Sequence, residues 1–161
     1  MRFQPRLIKS FVKPEPINLM ELAELLEKTR QSELLKIFDI EIERAEKGFV
    51  VLTMPVTPKV HQYIGVMNGG ISLLLAETSA SLGAVVSNDL SQVTPVGIEI
   101  NANHLRAVSR GSLRVEAKSI YHGRTLSVWQ VEITNERGKL VCVSRCTISL
   151  KKGAAFPPTE S

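Results

Sequence analysis

The chain has 161 residues, a length suited to one compact domain, and its 20 Lys and Arg against 16 Asp and Glu give a formal charge of +4. Hydrophobic residues make up 43%, enough for a packed core and too many for a disordered chain. Aromatics are only 5%, so the core must be built from Ile, Leu and Val, and single-stranded nucleic acid would find few stacking platforms.

The charge is unevenly placed. Residues 1–13 carry Arg2, Arg6, Lys9 and Lys13 and no acid, and residues 90–161 carry 10 bases against 5 acids. Between residues 60 and 89 the only charged side chains are Glu77 and Asp89. The start lacks an apolar signal core, because Phe3, Leu7, Ile8 and Phe11 are interrupted by charges. Its composition is shared by organelle transit peptides and by extended, loosely docked arms, and the arm is the expectation. Pro5, Pro14 and Pro16 mark residues 1–16 as that arm.

Asn18 is placed to cap a helix with an apolar stripe at Leu19, Leu22, Leu25 and Leu26, ending near Thr29. A short turn is expected at Ser32–Phe38. Two strands follow, Ile40–Ala45 and Phe49–Pro55, joined at Lys47-Gly48. Val56–Met67 reads as a loop. From Asn68 to about Asn88 apolar residues lie on nearly every side, the pattern of a buried core helix. No membrane span is expected, because its run Ile71–Val86 holds Glu77 and four hydroxyl residues. Four strands are then expected: Val96–Arg106, in which Val96, Ile98 and Ile100 alternate with Gly97, Glu99 and Asn101, then Leu113–Tyr121, Leu126–Thr134 and Leu140–Leu150. Tight turns at Ser109–Gly111, His122–Arg124 and Asn135–Lys139 imply antiparallel neighbours. The fold class is α+β, with one antiparallel sheet wrapped around one long buried central helix. The domain spans 17–150, and 151–161 is expected to be a flexible tail.

Cys142 and Cys146 lie on one face of a strand, about 13 Å apart at strand rise. They cannot pair, so they read as buried free thiols of a reducing, cytoplasmic setting. Scattered His61, His104 and His122 make no metal site, and no cofactor is expected.

Glu77 stands alone in the apolar helix, with Leu73 and Leu74 one turn before it and Ala80 and Ser81 one turn after. Burial opposes its ionised form, and a hydrogen bond from Ser81 favours it. It either reaches solvent or an Arg of the sheet, or does chemistry, and its isolation favours chemistry. Gly69 and Gly70 open the helix, where unpaired N–H groups and the positive dipole end could hold a thioester oxygen gaining charge. They could equally serve close packing against the sheet. Asn68 and Glu77 are nine residues apart, so about 13 Å along the axis and half a turn out of phase. One straight helix cannot aim both at one reacting atom. A shared site therefore needs two copies of the chain, at least a dimer.

The stretch Gln62-Tyr63-Ile64-Gly65-Val66-Met67-Asn68-Gly69-Gly70, followed by Leu75-Ala76-Glu77, resembles the active-site segment of hotdog-fold acyl-CoA thioesterases. The subgroup it resembles is that of 4-hydroxybenzoyl-CoA thioesterases with a helix-borne Glu. Val96–Arg106, Val128-Trp129-Gln130 and Leu140–Arg145 resemble it too, over residues 38–150 in all. The resemblance implies hydrolysis of an acyl- or aryl-CoA, with Glu77 as nucleophile or general base and the Gly69 N–H as oxyanion donor. Gln62 would position the thioester and Ser81 would orient Glu77 or its water, the site being shared between subunits of a dimer or tetramer. Where the family reads His-Gly-Gly, this chain has Asn68, which cannot titrate. His61 is expected to point away, and His104 to serve structure or a substrate rim. Coenzyme A phosphates need cations, and the basic C-terminal half offers Arg110, Arg145, Lys151 and Lys152 as well as the candidates the resemblance favours. Those are Arg106 and the turn His122-Gly123-Arg124. Two other readings are kept: an acyl-CoA-binding or sensing module without turnover, motivated by Asn68, and an anionic contact for the basic arm. Neither nucleic acid nor membrane is an expected partner.

Overall fold

A computed structural model describes residues 19–153. The expected arm over 1–16, the Asn18 cap and the tail from residue 154 lie outside the described residues. Helices α1 (Leu19–Arg30) and α2 (Glu33–Ile37) come first, then strands β1 (Glu41–Glu46) and β2 (Phe49–Pro55) and a 3-10 turn at Pro58–Val60. Helix α3 (Gly69–Val86) is followed by β3 (Val93–His104), β4 (Ser112–His122), β5 (Leu126–Asn135) and β6 (Leu140–Lys152). The strands form one antiparallel sheet in the order β1-β2-β4-β5-β6-β3. The α+β hotdog architecture expected of the sequence is present: one sheet curled around one central helix.

Alternation explains the sheet. Val50, Leu52 and Met54 of β2, Leu113, Val115 and Ala117 of β4, and Trp129, Val131 and Ile133 of β5 are all buried. Cys142, Cys146, Ile148 and Leu150 continue that layer on β6, and both thiols are free. Helix α3 lies across it and touches all six strands. Its length and apolarity would suffice to cross a membrane, yet Leu75, Ala76, Ala80, Leu82, Ala84 and Val86 are spent on this core.

Three details differ from expectation. Strand β3 starts at Val93, before Pro95, because Val93 and Thr94 pair with Lys152 and Lys151. That pairing carries β6 two residues past the expected boundary at residue 150. The register of β3 against β6 shifts between Gly97 and Glu99, a bulge at Ile98 that breaks the simple alternation. Consequently Val96 and Ile98 face outward, 47% and 60% exposed, instead of joining Ile100 against the core.

The two sheet edges are unlike. Edge strand β1 carries Glu41, Glu43, Arg44 and Glu46, the charged dress that discourages strand addition. Edge strand β3 has one charged residue, Glu99, beside its exposed Val96 and Ile98.

Gly83 sets the spacing of helix and sheet. A Cβ there would stand 2.5 Å from the indole ring of Trp129, which is fully buried and donates from Nε1 to Ser127 Oγ at 3.1 Å. The ring cannot move aside without breaking that bond. Gly83→Ala should therefore lower stability by about 1–3 kcal/mol through overpacking, outweighing a helix-propensity gain of about 1 kcal/mol. Urea unfolding midpoints will check the sign, since an exposed helical glycine would become more stable on the same change.

Candidate active site

The start of α3 is built by its cap. Asn68 has extended backbone (φ −66°, ψ 136°), and its Oδ1 accepts from the Gly70 N–H at 2.8 Å. Its backbone carbonyl accepts from Ile71 N–H at 3.0 Å. These bonds occupy the second and third amides of the helix. The first, Gly69 N–H, has no acceptor among the described residues. Asn68 is thus committed to its own helix, a task for which a short side-chain amide is well suited.

The loop before the cap is pinned to its own 3-10 turn and to the β3–β4 connection. Asn68 N–H donates to Val60 O and Met67 N–H to Val108 O, each at 2.8 Å. Within it, Gln62 N–H donates to Val66 O at 2.8 Å and Gly65 N–H to Gln62 O at 3.0 Å. Gly65 takes φ +77°, which closes this tight turn and brings Gln62 beside the helix start. His61 lies 3.0 Å from the Ser109 carbonyl through Nε2, which must carry the hydrogen.

A cavity of about 410 Å³ opens in front of Gly69. Its polar wall is Gln62, Gly69, Ser72, His104 and Arg106, and its apolar wall includes Val66, Met67, Val108 and Val141. The His104 ring rests on Gly69: a Cβ there would sit 3.0 Å from His104 Nε2. The glycine thus lets an imidazole pack closely where a side chain would crowd it, and His104 forms part of the cavity wall. Of the proposed phosphate contacts, Arg106 lines the cavity. His122, Gly123 and Arg124 lie at the β4–β5 turn and are not part of its wall. Burial, then Lys47, lowers the pKa of His122.

Glu77 lies elsewhere. It is eight residues beyond Gly69 on one straight helix, about 12 Å along the axis, and does not line the cavity. Its Oε1 accepts from Ser81 Oγ at 3.3 Å, as the spacing predicted. Its Oε2 accepts from Cys146 Sγ at 3.2 Å. The carboxylate enters a notch in β3 left by Gly97, where a Cβ would come within 2.0 Å of Oε1. The notch adjoins the Ile98 bulge on the edge strand. One chain therefore brings Gln62 and Gly69 together, with His104 and Arg106, and places Glu77 with Ser81 at a different point.

Sequence reasoning missed two neighbours of Glu77. Cys146 read only as a core thiol. Gly97 read as one term of an alternating strand, although a lone glycine in a strand signals a bulge or a close approach, and here it marks both.

Burial raises the pKa of both thiols. For Cys146 the carboxylate of Glu77 adds to burial, first as hydrogen-bond acceptor and then as a repelling charge, with a smaller push from Glu99. For Cys142 a Ser72 hydroxyl partly offsets burial. Both should stay protonated and resist iodoacetamide in the folded protein at neutral pH, and both should react in urea. Mass spectrometry of the labelled chain will check this; rapid labelling of Cys146 without denaturant would contradict the enclosure described here.

The thioesterase superfamily model matches residues 64–142. A 1,4-dihydroxy-2-naphthoyl-CoA hydrolase of Listeria monocytogenes is 44% identical over 119 residues, covering 74% of this chain and 96% of that protein. The protein of the same name from Escherichia coli is 35% identical over 127 residues, covering 79% and 93%. The crystal structure of a mutant thioesterase from Pseudomonas aeruginosa superposes with a TM-score of 0.76 at 32% identity, covering 81% of this chain and 94% of that one. The chain belongs to the thioesterase superfamily and is a thioester hydrolase of the hotdog fold.

Proposed function

We propose that this chain hydrolyses aryl- or acyl-CoA thioesters at a site shared by two copies. The observation that carries the reading is the separation of two half-sites along one helix. Gly69, whose N–H has no acceptor among the described residues, lines the cavity, and a held carboxylate stands at a notch in the sheet edge. Each half lacks what the other supplies. Edge-to-edge approach of two β3 strands would cover Val96 and Ile98 and bring the Glu77 of one copy toward the cavity of the other. A dimer built this way, alone or paired into a tetramer, is the assembly the reading requires.

The chemistry then follows from the groups present. The thioester oxygen accepts from Gly69 N–H, at the positive end of α3, where it gains charge as the carbonyl carbon is attacked. The Gln62 amide lies in the same wall and holds the thioester against rotation. Glu77 of the partner subunit attacks the carbonyl carbon, or takes a proton from the water that does. The carbon–sulfur bond breaks, and the products are the free acid and coenzyme A. Ser81 keeps Oε1 oriented. Asn68 contributes through its cap, so loss of the family imidazole leaves the oxyanion donor in place. Arg106 lines the cavity, and it and the His122-Gly123-Arg124 turn are the candidates for the phosphates of coenzyme A. The apolar wall of Val66, Met67, Val108 and Val141 suits a flat acyl group, and two relatives are named for a dihydroxynaphthoyl thioester. An aryl-CoA is therefore the substrate class we favour. Two free buried thiols suit a cytoplasmic enzyme.

Coenzyme A release from a panel of aryl- and aliphatic-CoA thioesters tests the reading. Glu77→Ala should lower kcat by about a hundredfold or more while the fold survives. Equal rates for the two proteins would remove Glu77 from the chemistry, and tight binding of intact thioester without turnover would favour the sensing module. Mixing subunits tests the shared site. Glu77→Ala and Gln62→Ala, each inactive alone, should regain about a quarter of wild-type activity after co-refolding, because half of randomly paired dimers carry one intact site. No recovery in a mixture shown to contain heterodimers would place all the groups in one chain.

A further inference from the structure

Between Gln62 and Asn88 no side chain other than Glu77 is charged, yet both its oxygens are held. The two donors come from different elements and restrain different motions. Ser81 lies one turn along the same helix, so its hydroxyl fixes the carboxylate only relative to α3. Cys146 belongs to β6, so its thiol ties the carboxylate to the sheet. Cys146 has no freedom to follow a swinging carboxylate. It is fully buried and in register with Trp129 on β5 and Ile100 on β3.

From this geometry we infer that Cys146 is a positioning residue for hydrolysis: its Sγ–H holds Glu77 Oε2, so that Oε1 stays in the Gly97 notch, presented at the β3 edge. The inference rests on the role proposed above for Glu77. The chemistry of the thiol suits the task. It is a weak donor, so it orients the carboxylate without neutralising it as a Lys or Arg would. Burial and the neighbouring carboxylate keep it protonated, so it remains a donor and does not compete as a nucleophile. The other charge acting on this pair is Glu99 of β3, which is exposed and accepts from Asn101 Nδ2 at 2.9 Å and Thr147 Oγ1 at 3.4 Å. Helix α3 brings no second charge, and Arg145, Lys151 and Lys152 of β6 are exposed.

A structural thiol and a positioning thiol differ in two readouts. The first is the infrared S–H stretch, which falls in a window free of other protein bands. The Cys146 band is identified by its loss in Cys146→Ser. It should move to the frequency of an unbonded thiol in Glu77→Ala, with Cys142 as the internal reference; an unmoved band overturns the inference. The second is the division between kcat and KM on the thioester the wild type turns over fastest. Cys146→Ala should lower kcat about fivefold, with KM within about twofold, and Cys146→Ser should recover at least about half of the lost kcat because it keeps a donor. Ala and Ser variants with the same kcat overturn it. If Cys146→Ala does not fold, Cys146→Ser and the infrared comparison decide the matter. A wild type that turns over no thioester would instead defeat the hydrolase site, while the infrared comparison would still decide whether Cys146 holds Glu77.

Discussion

A helix presents its residues at fixed heights and angles, and α3 is packed on a sheet that touches it with every strand. Gly69 at its start and Glu77 two turns on cannot be brought to one atom by any side-chain rotation. The rest of the molecule is arranged around that constraint. The loop carrying Gln62 is stitched to the helix start, and the thiol and hydroxyl that hold Glu77 sit at the other point. The sheet opens a gap opposite the carboxylate where β3 has no side chain. Even half-burying a lone carboxylate is costly without donors. Here a Ser and a Cys supply them, and the gap supplies room.

The helix start shows a second economy. An Asn cap satisfies one amide through its side chain and another through its backbone, leaving Gly69 N–H without an acceptor among the described residues. A histidine at that position would cap less well. The imidazole beside Gly69 instead comes from His104, at the end of β3, which packs closely on the bare glycine. An imidazole thus stands at the site even though its usual place in the sequence is taken by an amide.

Most of the architecture was legible from periodicity. The apolar run after Asn68 could only be a buried helix, and the alternation of Leu113–Tyr121, Leu126–Thr134 and Leu140–Leu150 could only be half-buried strands. The Ser81 contact with Glu77 followed from helical spacing alone. What escaped depends on register between elements distant in the chain. Cys146 and Glu77 meet 69 positions apart, and Gly97 meets Glu77 across a bulge. The bulge also turned Val96 and Ile98 outward, against a pattern that read as a core face. The start of β3 was also missed, because Val93 and Thr94 are held by pairing with Lys152 and Lys151, beyond the expected end of β6.

The contrast between the sheet's two edges has a consequence for assembly size. Association through β3 about a two-fold axis uses the same edge in both copies and consumes it. What then remains at either end of the joined sheet is β1, with Glu41, Glu43, Arg44 and Glu46. Two such ends repel a third chain in place of templating it. In the dimer proposed above, growth by strand addition would be self-terminating: once β3 is paired, the joined sheet ends in charged edges on both sides, so the topology that seats a second copy would also guard against a fibre.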